Sequence, residues 1–383
     1  MLLTGAPVAL AVPLIPLARC ETGSAARELV DRTIASGWLG YGPNCRALEE
    51  RFDARGGWSL ALQSCTAALW TAAMVLRETD TAAGAPEVIM PATTYAACSA
   101  AFGAAGWVVR FADVDRQSGL VDLGSVATLL NERTKALVIV DLYGQRAPER
   151  EARLLCDAHG LALVHDKAHR IDLWDSAKPL ADIACYSFGP IKEAPSPEGG
   201  LLWSSRLDLE ETARAVTMVG LSADTWSRAR GRAEHLGVSV RLRAGLKLRQ
   251  NDVAAAFVLG ALDSVPEERA HRRRIYDRLR AVAPGNIRLP QRADDDSLLM
   301  CVAHVPVDQR SGLRLFLAAR GLSTSDHYPS LATAFGEADA CPGAEELGAT
   351  VVTLPLYAGL SGIEVSRIEH ALASYASSAA IAA

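Results

Sequence analysis

The stretch "LALVHDKAH" (residues 161–169), followed by "ACYSFGPIKEAPSPEGG" (184–200), decides the fold. Leu161–Val164 and Ala184–Ser187 are short apolar runs of the kind that form strands buried on both faces. Each ends abruptly in polar chemistry: Asp166 closely follows the first run, and Lys192 lies five residues beyond Ser187. Working outward, further strand-like runs occur at Glu87–Met90, Trp107–Phe111 and Ala136–Val140, with helical stretches such as Thr66–Arg77 and Glu149–His159 among them. Buried strands alternating with helices predict an α/β fold around a mostly parallel sheet covered on both faces. Ligands of such sheets bind beyond the carboxyl ends of the strands, so the residues after each run are the candidates for function.

Near Asn251 the texture changes. Asp252–Leu279 reads as helical with a break near Pro266, followed by strand-like Leu298–Val305, helix-like Ser311–Arg320 and a last helix around Gly362–Ser374. The expected division is a large domain over residues 1–250, N-terminal segment included, and a smaller C-terminal α/β domain over 251–383. The Ala/Ser-rich tail Ala373–Ala383 is expected to fray.

The chain has 383 residues, of which 50% are hydrophobic and 22% charged, enough for a large core. A net charge of −5 gives no basis for a nucleic-acid or membrane-surface partner. Eight scattered cysteines with no CxxC pair argue against a metal site and read as reduced, buried, small hydrophobes. Leu2–Leu17 is apolar and ends near Cys20, but it is interrupted by Pro7, Pro13 and Pro16 and has no basic residue before it. A cytoplasmic location is therefore expected.

Taken singly, each polar feature has an ordinary reading beside a functional one. Asp166 is a helix cap or a ligand-side acid. Lys192 is a solvated lysine or, if desolvated, a Schiff-base lysine. The turn at Ser64-Cys65-Thr66 is a plain N-cap or an anion site at a helix N-terminus. In Arg241–Arg249 the odd positions hold Arg241, Arg243, Lys247 and Arg249, and the even ones are apolar. That pattern suits a solvated edge strand or an anion-binding strip.

The order and spacing of these features resemble the DegT/DnrJ/StrS family of pyridoxal-phosphate (PLP) dependent sugar aminotransferases. The blocks are "IASGWLGYGPNCRALEERF" (34–52), "SCTAAL" (64–69), "VIMPATTYAA" (88–97), "FADVD" (111–115), "RTKALVIVDLYGQ" (133–145), "HDKAH" (165–169), "SFGPIKEAPSPEGG" (187–200), "HYP" (327–329) and "LPLY" (354–357). The resemblance implies an aspartate-aminotransferase-like fold and the cofactor PLP, with Lys192 as the Schiff-base lysine and Asp166 as partner of the pyridine nitrogen. It further implies Cys65, Thr66 and Ser187 around the phosphate, Tyr95 stacked on the ring, and His169 near the phenolic oxygen. Lys247 stands where the family has an Asn that reaches the phosphate of a partner subunit, which implies a homodimer with composite active sites. Arg241, Arg243, Arg249, His327 and Tyr328 are candidates for substrate contact. The implied reaction moves an amino group from glutamate or glutamine to a keto sugar, nucleotide-linked in the first instance, or to a cyclitol, in amino-sugar or antibiotic biosynthesis. Another PLP reaction, elimination or decarboxylation, and a non-catalytic PLP-binding regulator are the alternatives. Three departures stand out: Cys65 replaces a glycine of the phosphate turn, Asp141 replaces a His, and Lys167 adjoins the pyridine-binding acid. The latter two are expected to alter charge near the cofactor or substrate.

Overall fold

The computed structural model describes residues 13–79, 84–175, 177–221, 226, 244–337 and 340–379. A seven-stranded sheet is built from β1 (Trp58–Leu62), β2 (Glu87–Pro91), β3 (Val108–Ala112), β4 (Thr134–Val140), β5 (Ala162–Lys167), β6 (Ile183–Ser187) and β7 (Gly200–Ser204). Its order is β1-β7-β6-β5-β4-β2-β3. Neighbours from β6 through β3 pair in parallel, and β7 alone runs against both β6 and β1. The strands are buried because helices lie on the sheet's faces: Cys65–Thr79 packs on one, while Pro43–Asp53 and Asp252–Leu262 share an apolar cluster with Tyr186, Leu201 and Trp203 on the other.

All parallel strands point their carboxyl ends to one edge. There β5 delivers Asp166, β6 delivers Ser187, and β1 runs through Gln63 into the helix that starts at Cys65. Gly200, the first residue of β7, packs under that turn. A Cβ there would lie 2.3 Å from Ser64 C and 2.4 Å from the Cys65 nitrogen, so only glycine fits.

A second sheet pairs β8 (Cys301–His304) with β9 (Val351–Leu354). Its cluster gathers Ile275, Tyr276 and Leu279 from the Val265–Val282 helix, Ile368 and Leu372 from the Gly362–Ala379 helix, and Ile15. Ile15 is clamped by hydrogen bonds to Gly321 and from Ser323. The packing changes partners inside the Val265–Val282 helix: Ala255, Val258, Leu262 and Val265 belong to the large-sheet cluster and Ile275 to the small-sheet one. On that packing we propose a domain division within this helix, some residues beyond the expected 250/251. The last helix spans Gly362–Ala379, and the rest of the tail expected to fray, 380–383, lies outside the described residues. Seven cysteines are buried and Cys20 is exposed; all eight are free. Among the described residues, no helix is long and apolar enough to cross a membrane.

Candidate active site

A cleft of about 410 Å³ opens at the carboxyl edge of the sheet. Residues from Ser64–Thr66, Thr94–Tyr95, Asp166–His169, Ser187–Lys192 and His327–Tyr328 wall it, so five separated parts of the chain meet there.

Lys192 follows β6 on a loop that turns back through a hydrogen bond from its amide to Gly189 O, 3.0 Å. Its side chain lines the cleft half-buried and forms no ion pair among the described residues. Burial pushes its pKa below the usual lysine value, and Asp166 and Cys65 only partly oppose this. A lysine without a committed counter-ion and with a lowered pKa is poised to act as a nucleophile and a base.

Asp166 is 4% exposed. Its Oδ1 accepts the Ala168 N–H at 2.9 Å, and its Oδ2 accepts the Cys98 thiol at 3.0 Å. Cys65 Sγ lies 3.8 Å from Oδ1, and burial, reinforced by Asp166, raises the Cys65 and Cys98 thiols well above their usual range. The thiols therefore remain neutral, weak donors. The carboxylate has no salt bridge among the described residues, so its charge is left for a cation in the cleft.

Ser64 caps the Cys65–Thr79 helix, its hydroxyl accepting the Ala67 N–H at 3.1 Å and its carbonyl the Ala68 N–H at 3.1 Å. The ordinary N-cap reading is thus correct for Ser64. It also leaves the first two amides, Cys65 and Thr66, at the cleft wall, where a helix N-terminus favours an anion.

Tyr95 is 63% exposed and lines the cleft, which excludes the packed-core reading of this ring. His169 is buried, and its Nδ1 accepts the N–H of Tyr143 at 3.1 Å. That contact assigns the ring proton to Nε2, which lies 3.4 Å from the Tyr328 hydroxyl. Burial, with Lys192 and His327 nearby, holds the His169 pKa well below its usual value, so the ring is a neutral donor. Tyr143 supplies its N–H from a left-handed backbone, φ 61°, and its hydroxyl donates to His327 O at 2.6 Å. No motif reading singled out Tyr143; a non-glycine residue at positive φ is visible only in the folded backbone.

Two expectations are corrected. Asp141 and Lys167 do not face the cleft. Successive residues of β5 alternate, so Asp166 points into the cleft and His165 and Lys167 point to the opposite face. There Lys167 Nζ lies 3.4 Å from Asp141 and 3.3 Å from Asp172. His165 bridges Asp141 and Glu149 at 2.8 and 3.0 Å, and Arg55 pairs with Asp172 at 2.6 Å. The two departures compensate each other within one buried network. Arg249, likewise, does not offer its charge to an anion: its side chain is 4% exposed, 3.5 Å from Glu49 and over the Tyr41 ring. Lys247 is exposed. The strip runs beside β1, which leads into the Ser64–Thr66 turn, with Gln63 N–H donating to Leu248 O and Gln250 N–H to Ala61 O. Arg241 and Arg243 lie outside the described residues.

A lysine opposite a buried carboxylate, with open helix amides nearby at the edge of a mostly parallel sheet, defines a PLP-dependent enzyme of the aminotransferase fold. The model of the DegT/DnrJ/EryC1/StrS aminotransferase family matches residues 21–373, starting ahead of the Ile34–Phe52 block, and the chain belongs to that family. The aminotransferase TlmJ from Streptoalloteichus hindustanus is 25% identical over 96% of this chain and 100% of its own, with a TM-score of 0.85. Helicobacter pylori PseC, an aminotransferase involved in the biosynthesis of pseudoaminic acid, shares the fold at 20% identity, with the same TM-score of 0.85 and coverage of 96% and 100%. The PLP form of Spr1654 from Streptococcus pneumoniae shares it at 22% identity and a TM-score of 0.82, over 95% of this chain and 99% of that one.

The residues present fit PLP. A phosphate would find the Cys65 and Thr66 amides at the helix end, a pyridine nitrogen the Asp166 carboxylate, and an aldehyde the Lys192 amine, which has no ion-pair partner among the described residues.

Proposed function

We propose that this aminotransferase carries an amino group from glutamate or glutamine to a ketone on a sugar, nucleotide-linked in the first instance, or on a cyclitol. The observation that carries the reading is the half-buried Lys192 amine, unpaired and of lowered pKa, in one cleft with the Asp166 carboxylate. Cys65, Thr66 and Ser187 would hold the PLP phosphate, Tyr95 would cover the ring, Asp166 would keep the ring nitrogen protonated, and Lys192 would carry the aldehyde carbon. Bound there, PLP supplies an electrophilic carbon that takes up the amino group and a ring that stores the electron pair left when the donor loses its α-proton. Lys192 Nζ would take that proton and return it, its half-buried, unpaired amine serving as the base. Asp166 meets only two thiols and the Ala168 amide, so no ion-pair partner among the described residues competes with the ring nitrogen for it. Neutral His169 donates from Nε2 without adding a charge that would compete with the ring.

We propose further that the enzyme works as a homodimer with composite sites, Lys247 reaching the partner's phosphate. Exposed apolar side chains lining the cleft, Tyr95 and Ile191, support a covering surface there. The test of the reaction is incubation of the purified holoenzyme with glutamate or glutamine and no acceptor. One equivalent of 2-oxo acid per site is expected. If no common amino acid yields a 2-oxo acid, the aminotransfer reading falls and elimination takes its place.

A further inference from the structure

The main cleft has a charge problem as a site for glutamate. Among the described residues that line it, Lys192 is the sole lysine or arginine, and Asp166 and Glu198 are anionic. His169 and His327 add no charge, because burial and the neighbouring Lys192 lower both their pKa values. Lys192 must keep its amine free for proton work, so a carboxylate entering with the donor needs a cation elsewhere.

A narrow annex behind Lys192 supplies one. This cavity of about 60 Å³ shares Lys192, Met300 and His327 with the cleft and continues to Tyr357, the half-exposed Arg19 and the carboxylates Glu21 and Glu268, with Arg272 as a second cation. At roughly 10–15 Å³ per water-sized occupant, it has room for about four waters, or for a carboxylate with its adjoining methylene. Tyr357 is 5% exposed, and its hydroxyl is buried without a hydrogen-bond partner among the described residues. A buried O–H with no acceptor is costly, and a carboxylate oxygen would satisfy it. The guanidinium of Arg19 lies 5.5 Å from the centre of the Tyr357 ring. Its carboxylate contacts are at the long end, 3.4 Å to Glu364 and 4.0 Å to Glu21, and a better-placed anion can compete with them. The other arginine of this wall, Arg272, is already committed at 2.9 Å to Glu193 and to the Ser297 carbonyl.

We propose that this annex is the subsite for the side-chain carboxylate of the amino donor, the one that glutamate has and alanine lacks, received by the Arg19 guanidinium and the Tyr357 hydroxyl beside Lys192. The inference rests on the aminotransferase reading with a dicarboxylate-type donor and adds a place for its charge. It makes the segment around Arg19, ahead of the first strand and anchored through Ile15 on the small-sheet cluster, part of the site.

Two variants test it, Arg19→Gln and Tyr357→Phe, the second removing one oxygen from a buried ring. Glutarate is titrated into the holoenzyme by calorimetry; it carries both carboxylates of glutamate and no amine, so binding is read without reaction. In parallel, KM is measured for glutamate and for alanine in the half-reaction without acceptor. The proposal expects glutarate to bind the wild type, and its affinity to fall about tenfold in each variant. It expects KM for glutamate to rise by a similar factor, with that for alanine little changed. Glutarate that binds both variants as it binds the wild type, or fails to bind the wild type, overturns the subsite. If glutarate binding depends on Arg19 but glutamate yields no 2-oxoglutarate, the subsite stands and the donor reading falls.

Discussion

Lys167→Met probes the buried network that sets this chain apart from its family's usual pattern. Lys167 is 4% exposed and sits between Asp141 at 3.4 Å and Asp172 at 3.3 Å. The network holds three carboxylates, Glu149, Asp141 and Asp172, against Lys167, Arg55 and, below its raised pKa, the His165 imidazolium. Removing the lysine leaves one excess buried negative charge. Breaking a buried pair from one side costs about 3–5 kcal/mol, a large part of the roughly 5–15 kcal/mol that holds a domain folded. Asp141→Asn removes the orphaned charge, so the double variant should recover part of the loss, with a coupling of about 0.5–3 kcal/mol.

The assay is chemical denaturation of the wild type, both single variants and the double, at saturating PLP and several pH values. Burial lowers the His165 pKa, but Asp141 outweighs it and holds the group above its usual value. Its contribution is therefore complete below the ordinary His range and is lost as pH rises through the folded pKa. For Asp141, Glu149 and Asp172 burial acts upward, but their cationic neighbours outweigh it and hold them low. Their contribution is present above the ordinary carboxylate range and is lost as pH falls through the folded values. The cost of Lys167→Met should thus grow as pH rises past His165's titration, where the network loses a second cation. The glutamate half-reaction rate of the folded variant should change little, since Lys167 does not line the cleft. A loss below about 1 kcal/mol, or equal losses with and without Asp141→Asn, would refute the compensated network.

Borohydride reduction of the holoenzyme should attach the cofactor to Lys192, and peptide mass mapping that finds it on Lys167 sinks the assignment. Gly200→Ala should displace the phosphate turn, because its Cβ would stand 2.3–2.5 Å from Ser64 and Cys65 backbone atoms; equilibrium dialysis should show PLP affinity lowered tenfold or more, and unchanged affinity contradicts the close approach. Cys98→Ala should weaken PLP binding and shift the pH dependence of the cofactor spectrum by removing the 3.0 Å donor to Asp166, while Cys98→Ser should restore both; equal behaviour of Ala and Ser variants argues against a positioning role. Light scattering should give a dimer, and Lys247→Ala should retain PLP less well; a fully active monomer refutes the composite site.

Strand runs such as Ala136–Val140 and Ala184–Ser187 were legible because buried parallel strands are continuously apolar, and the observed β4 and β6 differ from them only at their ends. The helix expected at Thr66–Arg77 was likewise legible, occurring at Cys65–Thr79. The antiparallel β7 was not singled out: "GLLWS" begins on the second glycine of a motif that drew attention to Lys192, and a strand's direction is set by pairing, not by its own residues. The alternating cations of Arg241–Arg249 suggested one basic face, but whether a cation is free depends on what packs against it. Glu49 meets Arg249 across 200 residues, a contact no local pattern encodes. Arg19 and Tyr357 were missed as a pair for the same reason, being brought together only when the N-terminal segment folds back against β9's trailing loop.

The two lysines near Asp166 show how the fold assigns opposite jobs to one residue type. Both are withdrawn from water, and burial pushes both toward the neutral form. Lys167 stands one residue beyond Asp166 on the same strand, so the pleat turns it to the other face, where Asp141 and Asp172 outweigh burial and hold its pKa above the usual value. Its charge is permanent and structural. Lys192 comes from the next strand's loop onto Asp166's own face. There the compensating groups are one carboxylate and a neutral thiol, too little to offset burial, and its pKa drops. Moving a carboxylate such as Asp141 onto the cleft face would anchor Lys192 as an ion pair and remove the free amine. The Asp141 departure is harmless because the β4 end directs it away, and Lys167 is the cation that makes that direction affordable.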